Sequence, residues 1–461
     1  MTRHHPLRPA LLVLLVLAPA CGGAPPPGAS TPAGSARRTP NVVIITVDTL
    51  RADRVGAYGS ESAATPSIDR LAARGVRFER AYAPFPKTNP SLCSLMTGRY
   101  PSAHGVRRNG AHLPETELTM AELLDAAGYE TVAFISNHVM HSRYGLAQGF
   151  RIYNEDLPDP IPTRDSMERT AGSLVDAVLG WARGPERGGG APLLLWVHFI
   201  DPHGPYTPPA FSWPGAGDPE EARSLPVSAT NDGLDVIPAY QALPGVSASG
   251  EYIARYDAEV EHMDRELGRL LEGLESAGIL PGAYVIFAAD HGESLGDHGR
   301  WFQHGSSLYD PQIRIPMLVS GPGIEPGVRQ ATVSSIDILP SLLDLLGLQV
   351  YGGIQGISLR RTLEERGTEP DERIIHAELE RNYAAIRSTE KLIWDSRGGG
   401  MELYALDRDP GESTDLSAAG GVSRAVLAAA AGKFARENTR DVPSDESEET
   451  LEVLRSLGYV D

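Results

Sequence analysis

The sequence predicts an α/β fold: a sandwich around a mostly parallel central sheet, followed by a smaller C-terminal α+β subdomain. Continuous apolar, β-branched runs recur along the chain, and they are typical of strands buried on both faces. Amphipathic segments with helical spacing lie between these runs, and this alternation favours a parallel sheet covered by helices. The last quarter of the chain changes to short alternating segments, which indicate antiparallel strands.

The elements follow in order along the chain. Five apolar runs predict buried strands, at 41–47, 131–136, 193–200, 284–289 and 315–319. Helical patterns at 65–75, 119–128 and 254–278 lie between them, and a final helix is expected at 421–437. Residues 201–250 are rich in Pro and Gly, so we expect long loops there that shape the substrate entrance.

Composition excludes one broad class of function. The 461 residues carry a net charge of −19, whereas a protein that binds nucleic acid polymers needs a basic face. An acidic chain can still bind phosphate or sulfate groups, because metal ions supply positive charge locally. Only two cysteines occur, Cys21 and Cys93, so no disulfide framework is expected.

The N-terminus predicts export. Residues 1–20 combine basic residues, a short apolar stretch and a small-residue cleavage site, and Cys21 follows directly. This arrangement resembles a bacterial lipoprotein signal, which implies a lipid anchor at Cys21 and a location facing the periplasm or the outside. Ordinary secretion and a retained membrane segment are the alternatives. Residues 21–39 form a Pro- and Gly-rich linker, and we place a catalytic domain at 40–347 and the C-terminal subdomain at 348–461.

Polar residues follow several of the predicted strands. Asp48 ends the first run, Asp201 and His203 follow the third, and Asp290 with His291 follow the fourth. Ligands of α/β proteins bind at the carboxyl ends of the strands, so these residues are expected to share one site. For Asp48 alone, capping of a following helix is the alternative.

The order and spacing of several motifs identify a family. NVVIITVDTLRADRVGAYG, TPSIDRLAARGVRF, TNPSLCSLMTGRYPSAHGV, HFIDPHGPY, ADHGESLGDHG and HGSSLYDPQIRIPMLVSGPG together resemble the sulfatase family of the alkaline-phosphatase superfamily. The resemblance implies an alkaline-phosphatase-like fold and a metal ion held by Asp48, Thr88, Asp290 and His291. Typical sulfatases carry a second Asp where this chain has Thr49, and many carry Asn where it has His291. Fewer carboxylates and one imidazole favour Zn²⁺ or Mn²⁺ over Ca²⁺.

The nucleophile segment departs from the sulfatase pattern. Sulfatases convert a Cys or Ser into formylglycine, and here that position is Thr88, while Leu92 replaces the Arg that guides the modification. Cys93 is out of register, so we expect no formylglycine. The segment is closer to that of nucleotide pyrophosphatase/phosphodiesterases, which use Thr, as do lipoteichoic-acid synthases and phosphoethanolamine transferases. That resemblance implies a Thr88 nucleophile and an oxyanion donor at Asn109, for which a turn residue is the alternative.

Helix signals support this role for Thr88. Asn89 and Pro90 resemble the N-cap and first residue of a helix that runs to Thr97. This places Thr88 beside a helix N-terminus, where backbone N–H groups favour an anion.

Two further histidines are expected at the site. His203 and His304 match positions that contact the sulfate in arylsulfatases, and either imidazole is a candidate acid for the leaving group. Alternatively, Asp201, His203 and His304 hold a second metal ion, as in the two-metal relatives. We favour hydrogen-bond donation, because the usual Asp-x-x-x-His spacing is absent. His138 retains one member of a Lys-x-His pair and is a weaker candidate.

The sequence therefore predicts a metal-dependent hydrolase that acts on a sulfate- or phosphate-type ester of a small molecule, glycan or lipid, with phosphoesters favoured. Alternatives are a true sulfuric ester hydrolase, a phosphoethanolamine-like transferase of the cell envelope, and a non-catalytic binding protein. Retention of Asp48, Asp290 and His291 disfavours the binding protein. Nothing in the sequence indicates the oligomeric state.

Overall fold

The structure is a computed structural model, and it describes residues 39–161, 167–367 and 373–437 together with residue 455. The predicted signal sequence, Cys21 and nearly all of the linker lie outside the described residues. The chain from Thr39 onward forms one compact unit, and the proposed boundary at residue 347 stays a prediction. Among the described residues, no helix combines the length and apolar character needed to cross a membrane.

Strands and helices alternate through most of the chain. The strands are β1 (Val42–Val47), β2 (Val76–Tyr82), β3 (Glu130–Phe134), β4 (Ile152–Asn154), β5 (Asp159–Pro160), β6 (Met167–Glu168), β7 (Leu193–Phe199), β8 (Tyr284–Ala289), β9 (Ser294–Leu295), β10 (Trp301–Gln303), β11 (Arg314–Ile315), β12 (Met317–Ser320), β13 (Gly327–Ser334), β14 (Ile375–Leu379), β15 (Asn382–Arg387), β16 (Glu390–Asp395) and β17 (Met401–Ala405). The helices are α1 (Pro66–Arg74), α2 (Thr88–Thr97), α3 (Pro101–His104), α4 (Met120–Ala126), α5 (Ala171–Arg183), α6 (Ser249–Ser276), α7 (Asp310–Ile313), α8 (Ile338–Leu345), α9 (Arg360–Glu364) and α10 (Val422–Glu437).

The central sheet confirms the predicted α/β fold. Its order runs β4, β3, β7, β1, β8, β12 and β2, with β13 pairing with β2 and the short β11 also pairing with β2. The pairs around β1 and β7 are parallel, while β11 and β12 run antiparallel to their neighbours. All six residues of β1 and of β8 are buried, as the continuous apolar runs predicted.

Strand register aligns the carboxyl ends of the three middle strands. Val47 is the last residue of β1 and pairs with Phe199 of β7 and Ala289 of β8. The backbone N–H of Asp48 donates to Phe199 O at 2.9 Å, and that of Asp290 donates to Val47 O at 3.1 Å. The polar residues that follow these strands therefore meet at one edge of the sheet.

Two strands at the other side of the sheet differ from the sequence prediction. The run at 315–319 is divided into β11 and β12, because Pro316 has no N–H group to donate to a neighbouring strand. β2 was not predicted, since its sequence VRFERAY carries three charged residues. Those side chains are partly exposed, whereas Val76, Phe78 and Ala81 point into the core.

The C-terminal region contains a separate antiparallel sheet, as predicted, in the order β14, β15, β16 and β17. One face of this sheet packs on the catalytic domain, where Ile375 and Ile386 share a core with Tyr82, Phe85 and Ile313. The other core includes α10, whose buried residues are Leu427, Ala431 and Phe434. The subdomain therefore supports the loops between β10 and β11.

Candidate active site

The predicted nucleophile, Thr88, is the first residue of α2 and is wholly buried. The prediction that the helix starts with Asn89 as N-cap was wrong by two residues, because Lys87 takes the extended N-cap conformation and Thr88 is already helical. The predicted end at Thr97 is correct, and Gly98 closes the helix in the left-handed conformation. The backbone N–H groups and dipole at this end favour negative charge beside Thr88.

Thr88 lies against the side chains that follow β1 and β8. Its Oγ1 is 3.4 and 3.5 Å from the two carboxylate oxygens of Asp48 and 3.3 Å from His291 Nε2. His291 Nε2 is in turn 3.6 Å from Asp48 Oδ1 and 3.7 Å from Asp290 Oδ2. The structure thus brings together all four residues that the resemblance implied as metal ligands.

Hydrogen bonds fix the orientation of His291 and Asp290. His291 Nδ1 is 2.9 Å from Gly292 O, so Nδ1 carries the proton and the lone pair of Nε2 faces Thr88 and the carboxylates. Asp290 Oδ1 accepts from the backbone N–H groups of His291 and Thr49, whereas its Oδ2 has no hydrogen-bond partner among the described residues. A buried carboxylate oxygen and an imidazole lone pair therefore point at the same space.

The electrostatics of this space favour a cation. Burial and the neighbouring Glu293 raise the pKa of Asp48 well above its ordinary value, and burial with the charge of Asp48 does the same for Asp290. Burial also lowers the pKa of His291, which keeps the imidazole neutral and available as a ligand. Two buried carboxylates are costly unless a positive charge compensates them. The donor set of carboxylates, imidazole and hydroxyl fits a divalent ion of the zinc or manganese type.

Two side chains near this cluster were missed by the sequence analysis. Asn137 follows β3, and its Nδ2 donates to Asp48 Oδ2 at 2.8 Å. His198 lies in β7, wholly buried, with Nε2 3.8 Å from the same Asp48 oxygen. Ligand atoms of Asp48, His198 and Asp290 all lie within 4.8 Å of one another. His198 is hidden in the sequence because it stands inside an apolar run.

His203 and His304 lie beside His291. The ring centroids of His304 and His291 are 4.6 Å apart, and those of His304 and His203 are 5.1 Å apart. His304 Nδ1 is 3.3 Å from Glu293 Oε1, a wholly buried carboxyl group. Burial and the charge of Lys87 lower the pKa of His304 to about 3. The two predicted donors are therefore adjacent to the candidate metal ligands.

Asp201 is oriented differently from the other strand-end carboxylates. Its Oδ2 accepts a hydrogen bond from the backbone N–H of Ala171, the first residue of α5, at 2.8 Å. Burial raises the pKa of Asp201, and the neighbouring Glu259 is also buried. The carboxylate serves the start of a helix in this structure, so the second metal site of Asp201, His203 and His304 stays a prediction.

Asn109 and His138 flank the cluster. Asn109 is buried, and its Oδ1 accepts from the backbone N–H of Asn89, directly after the nucleophile, at 3.0 Å. His138 follows Asn137, and its Nε2 is 2.6 Å from Arg143 Nη2. Burial and the Arg143 charge lower the pKa of His138 to about 4. Asn109 is therefore beside the nucleophile, while His138 belongs to a neighbouring basic loop.

Comparison with known proteins decides the family. The Sulfatase family model matches residues 40–348, about two thirds of the chain. This chain belongs to the sulfatase family. Like its relatives it is a hydrolase that acts on ester bonds, and the structure confirms the alkaline-phosphatase-like fold that the motifs implied.

The similar proteins include sulfatases and, among the solved structures, a phosphonate monoester hydrolase. A Delta 4,5-hexuronate-2-O-sulfatase of Bacteroides thetaiotaomicron is 27% identical and covers 84% of this chain and 86% of its own. An arylsulfatase of Clostridium perfringens is 27% identical, with 82% and 90% covered. The structure of a phosphonate monoester hydrolase of Agrobacterium radiobacter superposes with a TM-score of 0.65 at 21% identity, over 86% and 94% of the chains. That last likeness shows the shared fold.

Proposed function

We propose that this sulfatase-family protein is a metal-dependent phosphoester hydrolase in which the hydroxyl of Thr88 is the nucleophile. One observation carries the proposal: Thr88 Oγ1 lies 3.3–3.5 Å from His291 Nε2 and the Asp48 carboxylate, at the N-terminus of a buried helix. The hydroxyl oxygen of Thr88 therefore lies beside the proposed metal ligands, which is where a nucleophile of this site has to be. The proposed ligands are Asp48, Thr88, Asp290 and His291.

The identity of the nucleophile favours phosphorus over sulfur. The methyl group on Cβ of Thr88 blocks oxidation to the formylglycine aldehyde. Cys93 cannot replace it, because its Sγ is buried 3.6 Å from Asn89 Oδ1 and burial raises the pKa of the thiol. A phosphothreonine intermediate can be hydrolysed, whereas a sulfothreonine lacks the elimination route that formylglycine provides.

The chain's own residues account for binding and proton transfer. A bound divalent ion lowers the pKa of a hydroxyl and polarises an ester oxygen. Thr88 Oγ1 gives its proton to the neutral His203 and His304 pair and forms a bond to phosphorus while the bond from phosphorus to the leaving oxygen breaks. The same pair then passes that proton to the leaving oxygen. A water molecule then cleaves the Thr88 phosphoester, which restores the hydroxyl and releases the phosphate.

Location and substrate class are part of the proposal. Residues 1–20 and Cys21 support export and a lipid anchor on the outer side of the membrane. Residues 201–250, mostly irregular and partly exposed, support a role in shaping the substrate entrance. Relatives named for hexuronate and N-acetylglucosamine sulfates favour an ester carried by a glycan.

Sulfuric ester hydrolysis is the second candidate function, and the names of the relatives favour it. Parallel turnover of nitrophenyl sulfate, nitrophenyl phosphate and bis-nitrophenyl phosphate, with Zn²⁺ or Mn²⁺ added, separates the two. The variants are Thr88→Ala and, as a matched control, Thr97→Val at the far end of the same helix.

We expect phosphate-ester turnover that is lost in Thr88→Ala and retained in Thr97→Val. Thr88-dependent sulfate turnover without phosphate turnover would overturn the phosphoester proposal in favour of the second candidate. Metal binding without turnover of any of the three esters would contradict simple ester hydrolysis and support a transferase.

A further inference from the structure

His198 is a buried histidine at this site to which neither the motifs nor the family resemblance gives a role. It lies in β7 with no exposed surface, and its register partner in β1 is Thr46. Alternation along β1 puts Thr46 and Asp48 on the same face of the sheet. The imidazole of His198 therefore lies on the same face of the sheet as the Asp48 carboxylate, next to it.

The spacing between His198 and Asp48 does not fit a hydrogen bond. Its Nε2 is 3.8 Å from Asp48 Oδ2, beyond the range of about 2.7–3.2 Å for N–H···O contacts. Two ligands that are each about 2.1 Å from one ion are separated by roughly 3–4 Å. The distances among Thr88, His291 and Asp48 are 3.3–3.6 Å and follow the same pattern.

The hydrogen bonds behind the ring direct Nε2 towards the carboxylates. Trp196 Nε1 donates to Thr46 Oγ1 at 2.9 Å, and Thr46 Oγ1 is 2.8 Å from His198 Nδ1. The threonine oxygen has two lone pairs, so it can accept from the indole and from an Nδ1–H group at once. Metal-bound histidines in general donate their second ring N–H to an acceptor of this kind. In this tautomer the Nε2 lone pair faces the carboxylates, and its one neighbouring donor among the described residues is Asn137 Nδ2, at a long 3.5 Å, which bonds Asp48 Oδ2 at 2.8 Å.

The composition of the site fits the same role. Ligand atoms of Asp48, His198 and Asp290 all lie within 4.8 Å of one another, and all three side chains are buried. The Oγ1 of Thr49 is also buried and has no hydrogen-bond partner among the described residues. With His291, the site therefore offers two carboxylates and two imidazoles.

We propose that His198 Nε2 is a further ligand of the metal ion, together with Asp48, Thr88, Asp290 and His291. This inference rests on the metal dependence in the proposed function and names the ion class more closely. Two imidazoles beside two carboxylates favour a borderline ion such as Zn²⁺ over Ca²⁺ or Mg²⁺, which prefer oxygen ligands.

Metal binding to the purified protein tests this without any turnover assay. After removal of metal by a chelator, one equivalent of Cu²⁺ is added as a probe, and electron paramagnetic resonance counts the nitrogen nuclei coupled to copper. Calorimetric titration with Zn²⁺ gives the affinity. The variants are His198→Gln, Thr46→Val and, as control, His104→Gln, an equally buried histidine bonded to Ser94 Oγ.

We expect two coupled nitrogens in the unaltered protein and in His104→Gln, and one in His198→Gln. Zn²⁺ affinity should fall about 100-fold in His198→Gln and about 10-fold in Thr46→Val, which keeps the imidazole but removes its acceptor. Thr46→Val also tests the idea if His198→Gln does not fold.

Two coupled nitrogens and an unchanged Zn²⁺ affinity in His198→Gln would overturn the inference and reduce His198 to a packing residue. Absence of metal binding in the unaltered protein would also overturn it. Phosphoester turnover is a separate readout: its absence in a protein that binds Zn²⁺ through His198 would contradict the proposed function alone.

Discussion

Lys391 offers the sharpest test of how the C-terminal sheet supports the site. It lies in β16 with no exposed surface, and its Nζ is 2.6 Å from Asp310 Oδ1 and 2.5 Å from Glu412 Oε1. Asp310 begins α7, and Gln312 of the same helix donates to Ser294 Oγ and Ser306 Oγ. The ion cluster thus joins the subdomain to the loop that carries His304.

The change Lys391→Met leaves two carboxylates in a buried place without their cation. Removal of one partner from a buried ion pair costs about 3–5 kcal/mol. An unfolding entropy of about 2.1 cal/mol/K per residue over roughly 400 residues gives about 0.8 kcal/mol/K, so the melting temperature should fall by about 4–6 °C.

The loss of stability caused by Lys391→Met should depend on pH. Burial raises the pKa of Glu412 from 4.5 to about 7, so the folded protein binds this proton more tightly than the unfolded chain. Protonation of Glu412 therefore adds stability as the pH falls from about 7 towards 4.5. Without Lys391, the protonated carboxyl also removes one uncompensated charge. The destabilisation by Lys391→Met should be smaller at pH 5.5 than at pH 8.

Thermal unfolding followed by circular dichroism at both pH values measures the effect. Lys433→Met is the matched control, because Lys433 and Glu437 are both exposed and 3.9 Å apart, and such surface pairs contribute little. A Lys391→Met melting temperature within 1 °C of the unaltered protein at pH 8 would refute the reasoning, as would an equal loss at both pH values.

Two glycines and the peptide of the nucleophile give three further predictions. A Cβ at Gly292 would lie 2.1 Å from Pro311 O, so Gly292→Ala should cost about 1–3 kcal/mol in chemical unfolding and reduce turnover by displacing His291. Gly180→Ala, in α5 with no atom within 4 Å of the added Cβ, should stabilise by about 0.5–1 kcal/mol. Mass spectrometry of the tryptic peptide 88–99 should show Thr88 and Cys93 unmodified, and a formylglycine mass would contradict the proposed nucleophile.

The buried strands were predictable because both of their faces are covered by apolar groups. β1 and β8 are surrounded by apolar groups on both faces, so their sequences contain nothing but apolar and small residues until an Asp ends the run. β13 lies at the edge, and β2 was missed although it pairs with β12 and β13, because its charged side chains such as Arg77 and Arg80 remain partly exposed. The hydrophobic pattern identifies a strand only where both faces are covered.

The residues of the site were predictable to the extent that they follow strands directly. Asp48 and Asp290 come one residue after β1 and β8, and parallel register places them side by side. His198 was missed because its role depends on cross-strand pairing with Thr46, which a single sequence does not show. A histidine on the same strand face as Trp196, one residue before the last residue of the strand, is the signal that the sequence contained.

Asp201 shows that a position just after a strand does not by itself determine which groups the side chain contacts. It follows β7 by two residues, whereas Asp48 follows β1 by one, and successive residues point to opposite sides of an extended chain. Asp48 therefore faces Thr88, while the carboxylate of Asp201 accepts from the first N–H group of α5. The strand end fixes the edge of the sheet at which a side chain lies, but the packing of the neighbouring helix decides whether that side chain faces Thr88 or bonds the helix. A second metal ion bound through Asp201 Oδ2 would compete with this hydrogen bond, at a cost of about 0.5–2 kcal/mol.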